Sequence, residues 1–428
     1  MKKPLLLFLI SLITFTTYAQ DLKQIIDQRA DEIEEQVIEW RRHFHENPEL
    51  SNREFETAAY IADYLNELGL EVETEVAHTG VVAILEGGQP GPMVGLRADI
   101  DALPVTERND LPFKSVATGM YQGKEVGVMH ACGHDTHIAI LMGVAKILTE
   151  NKDALKGSVK FIFQPAEEGA PQGEEGGAEL MVKEGVLENP DVDAIFGLHI
   201  WDSTPVGTIG YRAEGIMASV NSFSLKINGK QAHGSAPWAG IDPIVTSAQI
   251  INNVQTIVSR SMPLTKQAAV VTFGKIEGGV RHNIIPETVE MEGTIRALDE
   301  DMRQLIFQRL ETIVQNTAES NGATAELTIH KGYPITYNDP ELTAMMAPTL
   351  DRITEGNAHV MDAVTGAEDF SFFQEKIPGF YFFLGGQSPD VESGGHHTPD
   401  FYVDESAMKL GVRTMSNLVV DYMNNAGN

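Results

Sequence analysis

Cysteine is almost absent from this chain, because Cys132 is the only one among its 428 residues. A single cysteine cannot form a disulfide within the chain, so the fold must be stable without one. Cys132 lies in residues 130–137, which read HACGHDTH and include three histidines. Thiolate and imidazole groups are common metal ligands, and we therefore interpret Cys132 as a ligand. A buried, unreactive cysteine among surface histidines is the alternative.

Basic residues are scarce as well, with 31 Lys and Arg against 61 Asp and Glu and a formal net charge of −30. A field of this sign disfavours binding to nucleic acid or to anionic membranes and keeps a protein in solution. The acidic residues are spread along the chain instead of forming a tail. The charge therefore argues against a nucleic-acid partner and says nothing about the chemistry.

Long apolar runs are missing except near the N-terminus. Residues 1–19 contain two lysines, an apolar run from Leu5 to Phe15 and the sequence Thr-Tyr-Ala before Gln20. This pattern is typical of a secretory signal peptide, so we expect residues 1–19 to be removed and the protein to be periplasmic or secreted. A retained membrane anchor is the alternative. No later segment is apolar for long enough to span a bilayer, so no membrane contact is expected after cleavage.

Helical patterns alternate with short apolar strands over residues 20–214. This alternation is typical of an α/β domain with a mostly parallel sheet. The predicted helices are Ile25–His45, Glu54–Leu68, Ile138–Leu148 and Ala178–Gly185. The predicted strands are Val81–Leu85, Val94–Ile100, Val159–Gln164 and Ala194–Leu198, with His199 at the end of the last.

The ends of these strands carry polar groups that are suited to chemistry. Asp99 lies near the end of one strand and Asp101 follows it, the pair Glu167-Glu168 follows another, and His199 follows a third. In parallel sheets, functional groups collect just beyond the carboxyl ends of the strands. Asp135 is the predicted N-cap of the helix that follows the Cys132 segment, which would place the thiol near a helix N-terminus.

A different order of elements occupies residues 215–330. It consists of Phe223–Asn228, Pro243–Arg260, Ala269–Lys275, Thr288–Arg296, Asp301–Ser320 and Thr324–His330. The order β-α-β-β-α-β predicts a ferredoxin-like α+β domain. The α/β pattern resumes in residues 331–428, with a strand at Phe380–Leu384 and a helix at Ser406–Tyr422. The smaller domain is therefore expected to be inserted in the larger one.

The polar residues together favour a hydrolytic site with two metal ions. Such a site needs about five or six protein ligands, a bridging water and a general base. The candidates are Cys132, His134, Glu167-Glu168, His199 and His396-His397. Exposed loop acids, a satisfied strand-end histidine and a flexible glycine-rich loop are the alternatives for these positions. By themselves, His233 and the segment 281–286 read as surface loops of the inserted domain, and Arg296 ends one of its strands.

Seven motifs make the chain resemble the co-catalytic metallopeptidase family of aminoacylases and glutamate carboxypeptidases. The similarity is strongest to the amidohydrolase branch, which contains hippurate hydrolases, N-acyl-amino-acid amidohydrolases and auxin-conjugate hydrolases, and which is marked by the cysteine of the Cys-Gly-His motif. The motifs are residues 41–49 (RRHFHENPE), 95–104 (GLRADIDALP), 129–135 (MHACGHD), 164–169 (QPAEEG), 197–199 (GLH), 366–370 (GAEDF) and 397–399 (HTP).

The resemblance implies a role for each matching residue. The implied metal ligands are Cys132, His134, Glu168, His199 and His397. Glu167 would be the general base, and Asp101 would orient the site. His233 would stabilise the tetrahedral oxyanion, and the implied substrate-binding residues are Asn283, Arg296 and Glu368. The family further implies a zinc-peptidase-like catalytic domain, a lid and dimerisation domain, and a homodimer. It also implies two divalent metal ions, with zinc or manganese favoured and cobalt or nickel as alternatives.

The expected activity is hydrolysis of the amide bond of an N-acyl amino acid. A dipeptidase or carboxypeptidase is the alternative within enzymes, since those substrates also hold an amide beside a carboxylate. A binding protein that has lost catalysis is the alternative outside enzymes, and the presence of Glu167 argues against it. Two departures from the family pattern, Ala367 and His282, affect the expected substrate preference and leave the metal site intact.

Overall fold

The computed structural model describes residues 22–426, so the predicted signal peptide lies outside the described residues. The chain divides into two compact units. The first contains residues up to Glu214 together with Tyr337–Met361 and the chain from Phe372 onward, and the second contains Gly215–Thr336 and Asp362–Ser371. The predicted insertion at residues 215–330 lies inside the second unit.

The helices and strands follow in chain order. The helices are α1 (residues 22–32), α2 (Glu34–Glu46), α3 (Phe55–Glu67), α4 (His134–Glu150), α5 (Gly177–Lys183), α6 (Pro243–Thr256), α7 (Glu300–Ser320), α8 (Pro340–Ile353), α9 (Ser371–Gln374) and α10 (Ala407–Asn425). The strands are β1 (Glu71–Val76), β2 (Gly80–Glu86), β3 (Gln89–Asp99), β4 (Thr118–Tyr121), β5 (Lys124–Gly127), β6 (Lys156–Gln164), β7 (Ala194–Pro205), β8 (Ile209–Tyr211), β9 (Glu214–Met217), β10 (Ser219–Asn228), β11 (Ala232–His233), β12 (Ala269–Gly278), β13 (Ile284–Ile285), β14 (Thr288–Ala297), β15 (Thr324–Lys331), β16 (Thr336–Asn338), β17 (Ala358–Val360) and β18 (Gly379–Gln387).

The first unit is built on an eight-stranded sheet with the order β1-β2-β6-β3-β7-β18-β8-β17. Its four central strands, β6, β3, β7 and β18, are all parallel to one another. The antiparallel pairs lie toward the two edges, at β1-β2, β2-β6 and β18-β8. The predicted α/β class with a mostly parallel sheet is confirmed.

Helix α4 forms the centre of the first unit, with fourteen of its seventeen residues buried. It contacts α2 and α10, and both α4 and α10 contact the central strands β3, β6 and β7. These helices therefore cover one face of the sheet, and their shared apolar core fixes where α4 begins relative to the strand ends. Within residues 22–426, no helix is long and apolar enough to cross a bilayer.

One predicted helix is divided in two. The sequence pattern predicted a continuous helix over Ile25–His45, but α1 and α2 are separated at Ile33, whose backbone has φ −100° and ψ 3°. The side chain of Ile33 is buried in the core against α4. The apolar periodicity continues through the break, which explains why the sequence pattern did not reveal it.

The second unit has the predicted ferredoxin-like arrangement. Its four-stranded antiparallel sheet has the order β12-β14-β10-β15, and α6 and α7 pack against each other and against the sheet. A separate core of apolar residues from both helices and the sheet holds it together. A short ladder pairs β11 with β13 beside the sheet.

Candidate metal centre

Asp101 connects the ends of two neighbouring parallel strands, β3 and β6. Its Oδ1 accepts the backbone N–H of Glu167 at 3.1 Å, and its Oδ2 accepts the backbone N–H of Glu168 at 3.0 Å. Ser51 Oγ also donates to Oδ2 at 2.7 Å. The chain before the two glutamates passes through Ala166 with φ +53°, and the Ala166 N–H donates to a buried carboxylate. Asp101 thus fixes the backbone that presents both glutamate side chains.

The same aspartate sets the orientation of the His134 ring. His134 Nδ1 lies 2.9 Å from the backbone oxygen of Asp101 and 3.3 Å from its Oδ1. Its Nε2 points the other way, 4.0 Å from a carboxylate oxygen of each of Glu167 and Glu168. Within residues 22–426, this buried Nε2 has no hydrogen-bond partner. A ring held through Nδ1 with a free Nε2 is the arrangement expected of a metal-binding histidine.

The start of α4 differs from the sequence prediction. Helix α4 begins at His134 and is preceded by Gly133 with φ +90°, so Asp135 is not its N-cap. A Cβ atom at Gly133 would lie 2.5 Å from the side chain of Ile200, and the positive φ also favours glycine. The chain can therefore turn sharply here, which leaves Cys132 in the loop just before the helix.

Asp135 is instead a buried partner of two basic residues. Its Oδ2 lies 2.8 Å from Arg41 Nε and 2.8 Å from His45 Nδ1. Burial opposes ionisation of the carboxyl, but the two basic neighbours hold the pKa of Asp135 well below its usual range. The RRHFH motif thus supports the first turn of α4, and the cap prediction was wrong because capping patterns do not register partners that are distant in sequence.

His199 lies inside strand β7, not at its end as predicted. Strand β7 pairs with β3 only as far as Gly197, and beyond that point it pairs with β18 alone. The N–H of Ile200 lies beyond the part of β7 that pairs with β3, and it donates to His137 Nε2 at 2.9 Å. His137 Nδ1 lies 2.6 Å from Asp99. Both nitrogens of His137 are therefore engaged, and this residue supports β7 where its neighbour strand diverges.

The position of His199 leaves one ring nitrogen facing the thiol. Its Nδ1 donates to the backbone oxygen of Ile200 at 2.6 Å, and its Nε2 lies 3.4 Å from Cys132 Sγ. Burial is the main reason why the pKa of His199 lies well below its usual value, so the ring is neutral. A neutral imidazole with its Nε2 lone pair beside a thiol is suited to bind a metal ion.

Both histidines of the His396-His397 pair lie beside Cys132. His397 Nε2 is 3.2 Å from Cys132 Sγ and 3.2 Å from Glu168 Oε1, and the His397 N–H donates to Ala131 at 2.8 Å. His396 Nδ1 is 3.7 Å from the same sulfur, and its Nε2 lies 3.4 Å from Asp202. The sequence motifs indicated His396-His397 as a pair, and the family resemblance implied only His397 as a ligand. The structure shows that His396 also lies close to the thiol.

These side chains form two groups that could each hold a metal ion and that share one cysteine. One contains Cys132, His199 and His396, and the other contains Cys132, His134 and Glu168. Within each group, the ligand atoms lie within 4.8 Å of one another. A third group, which includes His137, is structural because both nitrogens of that ring already have partners.

The electrostatics of the site favour a bound cation. Burial and the nearby Glu168 carboxylate raise the pKa of Cys132 well above its usual value. Asp99 and Asp101 outweigh the effect of burial and raise the pKa of His134 to about 10. The buried carboxylates around His134 therefore favour a positive charge at this place. Sulfur, imidazole and carboxylate ligands with an unpartnered His134 Nε2 fit a divalent transition-metal ion.

Removing the Asp101 carboxylate is expected to weaken metal binding. Asp101→Ala removes the carboxylate contact to His134 Nδ1 at 3.3 Å and the acceptor of both glutamate N–H groups. Loss of such a supporting group typically costs about 10- to 100-fold in metal affinity or activity. The measurement is a metal titration in competition with a coloured chelator. Asp110→Ala, at an exposed aspartate of the same segment, is the matched control. Equal affinities in the two variants would contradict the role given to Asp101.

The structure brings His233, the predicted oxyanion-stabilising residue, together with Asn283, a predicted substrate-binding residue, in the second unit. The β11-β13 ladder pairs His233 with Ile284, and the Gly234 N–H donates to the backbone oxygen of Asn283 at 2.8 Å. The backbone N–H of Ser235 donates to His233 Nδ1 at 3.1 Å. Since Nδ1 accepts this bond, the proton of the neutral ring lies on Nε2, where it can be donated.

The other two predicted substrate residues lie elsewhere in the second unit. Arg296 is on strand β14, where its guanidinium donates to Thr294 and Ile295, and burial lowers its pKa. Glu368 is buried in the segment 362–371, and its Oε1 accepts the N–H of Phe370 at 3.0 Å. The domain prediction assigned this segment to the larger domain, whereas the structure groups it with the second unit.

One known protein family matches most of this chain. The profile of "Peptidase family M20/M25/M40" matches residues 95–421. Thermostable carboxypeptidase 2 of Saccharolobus solfataricus is 42% identical over 410 residues, which cover 94% of this chain and 100% of that protein. The N-acetyl-L-cysteine deacetylase of Bacillus subtilis is 40% identical over 379 residues, which cover 88% of this chain and 85% of that protein.

A solved structure extends the match to the fold. A dinuclear metal-binding peptidase of the M20 family from Bacillus subtilis superposes with a TM-score of 0.79 at 35% sequence identity. The alignment covers 92% of this chain and 99% of that one. The resemblance inferred from the seven motifs is confirmed, and the chain belongs to peptidase family M20/M25/M40, as a metal-dependent hydrolase of amide or peptide bonds.

Proposed function

We propose that this protein hydrolyses the amide bond of N-acyl amino acids and releases a carboxylic acid and a free amino acid. The observation that carries the proposal is the pair of ligand groups sharing Cys132, next to a second glutamate, Glu167, whose backbone is held by Asp101. The similarity to a deacetylase of N-acetyl-L-cysteine supports an acylated amino acid as the substrate.

The proposed centre binds two divalent metal ions. Its ligands are Cys132, His134, Glu168, His199 and His397, with His396 beside the same sulfur. A mixture of sulfur, imidazole and carboxylate donors suits several divalent ions, of which zinc and manganese are the favoured ones and cobalt and nickel the alternatives. When bound, the ions lower the pKa of a water molecule and polarise the scissile carbonyl.

The protein residues then move the proton and hold the substrate. Glu167 takes the proton of the attacking water and returns it to the leaving amine. His233 donates from Nε2 to the oxyanion of the tetrahedral intermediate, in the tautomer that Ser235 selects. Asn283 and Arg296 bind the substrate's carboxylate or carbonyl, and Glu368 completes this set of substrate-binding residues.

A dipeptidase or carboxypeptidase activity is the second candidate. It is favoured by the 42% identity to thermostable carboxypeptidase 2, which exceeds the 40% identity to the deacetylase. Dipeptides and N-acyl amino acids both present an amide beside a free carboxylate, so the same residues serve either reaction. The two activities differ in the group on the acyl side of the amide, which carries an ammonium in a dipeptide.

The test is release of free amino acid from a panel of N-acetyl amino acids, N-benzoyl amino acids and dipeptides. Metal-loaded protein is expected to release amino acid from the acylated compounds and to lose this activity with a chelator. Release mainly from dipeptides would establish the dipeptidase alternative. No release from any compound by protein with bound metal would contradict both and would favour a binding protein.

We further propose that the protein is a homodimer formed through the second unit. Strand β12 is an edge strand of its sheet, and an apolar edge is a natural site for pairing with another chain. Val270 and Ile276 on this strand are 37% and 56% exposed, and Val245 on α6 is 49% exposed. Sedimentation velocity is expected to show a dimer for the wild type and a more weakly associated dimer for Ile276→Lys.

We also propose export of the protein, based on the signal-peptide pattern of residues 1–19. The proposal places the mature N-terminus at Gln20 in the periplasm or outside the cell. N-terminal sequencing of the protein from its natural source distinguishes cleavage from a retained anchor.

A further inference from the structure

A cavity of about 510 Å³ lies beside the metal centre, entirely within the first unit. Its volume falls in the range of about 300–1,000 Å³ that is typical of small-molecule sites. Four separate segments supply its apolar wall, which includes Leu50, Leu103, Pro104, Met120, Tyr121 and Ala170. A cavity of this size is much larger than an acetyl group requires.

The cavity is continuous with the reaction centre. Glu168, a proposed metal ligand, forms part of its wall, and so does Ser51, whose hydroxyl donates to Asp101 at 2.7 Å. A group bound in the cavity therefore lies next to the residues that would hold the scissile amide. A substrate subsite is expected at such a position.

The β4-β5 hairpin closes one side of the cavity through Met120, Tyr121 and Gln122. Its two-residue turn has positive φ at both Gln122 (49°) and Gly123 (77°), which matches the strand twist of a tight hairpin. A Cβ atom at Gly119 would lie 3.1 Å from the Leu50 side chain, so the hairpin packs closely on the cavity wall. Met120, at 68% exposure, is held at the opening by this scaffold.

The charges around the cavity disfavour a carboxylate. Within the described chain, Arg53 is the one cation that lines the cavity, and its guanidinium is paired with Glu174 at 2.6 and 3.0 Å. Of the two halves of an N-acyl amino acid, the uncharged acyl half fits this environment.

We propose that this cavity binds the acyl group of the substrate and selects acyl groups larger than acetyl, of the aromatic or medium-chain aliphatic class. The inference rests on the proposed amidohydrolase function and identifies its substrate class. Met120, Tyr121 and Ala170 are the residues that set the length and width of the acyl group.

The experiment compares two series of substrates on the full metal-loaded chain. One varies the acyl group (acetyl, hexanoyl, benzoyl) on methionine, and the other varies the amino acid under a constant acetyl group. Ala170→Phe fills the cavity, and Met120→Ala removes part of its wall. Val116→Ala is the matched control, because Val116 is 85% exposed near the same hairpin and does not line the cavity.

The ratio of kcat/KM for benzoyl- over acetyl-methionine is expected to fall at least about 10-fold in Ala170→Phe, since a mismatch in an apolar pocket typically costs 10- to 200-fold. A smaller fall is expected in Met120→Ala and no change in Val116→Ala. Benzoate binding, measured by calorimetry, should weaken in Ala170→Phe, and this readout does not depend on turnover.

Two outcomes would overturn the inference while leaving the function in place. If the cavity variants alter the amino-acid series and not the acyl series, the cavity holds the amino-acid side chain. If neither series changes and benzoate binding is unaffected, the cavity is not a subsite. Failure of the wild type to hydrolyse any N-acyl amino acid would instead contradict the proposed function, which separates the two results.

Discussion

Glu167→Gln is expected to lower kcat by about 10²- to 10⁴-fold, which is the usual contribution of a general acid-base residue. The glutamine keeps the size of the side chain and the backbone N–H that Asp101 accepts at 3.1 Å. It cannot take a proton from water or return one to the leaving amine. The fold and the metal content should therefore be retained while hydrolysis is lost.

Two further variants make this result specific. Glu175→Gln changes an exposed glutamate of the same loop and should retain full activity. Glu168→Gln should instead lower the metal content, since Glu168 is a proposed ligand. Kinetics and metal analysis on all three variants distinguish these roles. Substantial activity in Glu167→Gln together with loss of metal would mean that the two glutamates have been assigned the wrong way round.

The second large effect is expected for His233→Ala, which should lower kcat by about 10²- to 10³-fold. This is the typical cost of removing one donor to an oxyanion. The backbone N–H of Ser235 keeps His233 Nδ1 unprotonated, so Nε2 carries the hydrogen that the oxyanion would accept. Metal affinity should not change, because His233 belongs to neither of the ligand groups.

The matched control is His330→Ala, at an exposed histidine on β15 of the same unit. It should leave both kcat and KM at wild-type values. Steady-state kinetics with an N-acyl amino acid, together with a metal titration of each variant, give the comparison. An active His233→Ala enzyme would remove this residue from the proposed mechanism.

Much of the fold was predictable because its elements carry strong local patterns. The six elements predicted for residues 215–330 occur with small shifts, and the sheet order β12-β14-β10-β15 is that of the predicted ferredoxin-like domain. The central parallel strands were also recognisable as short apolar runs. Apolar periodicity is a local property of the sequence, so it can be recognised without knowing which other segments an element packs against.

The errors lie where a residue's partners are distant in sequence. Asp135 looked like a helix cap, but Arg41 and His45 bind it in the interior of the first unit. His199 looked like a strand end, but β18 continues to pair with β7 after β3 has diverged. Local patterns contain neither the ion pairs nor the strand pairing that decide such positions.

The sequence by itself determined the kinds of ligand, since Cys132, His134 and the glutamate pair stand in motifs specific to one family. Only the tertiary structure decided which nitrogen of each ring is free, because Asp101 and the backbone of Ile200 hold His134 and His199 through Nδ1. It also decided the shape of the cavity beside the metal centre, whose wall combines segments far apart in the chain. Residue types and periodicity are properties of short stretches of sequence. Ring orientation and cavity shape depend on contacts that exist only once segments far apart in the chain have packed together.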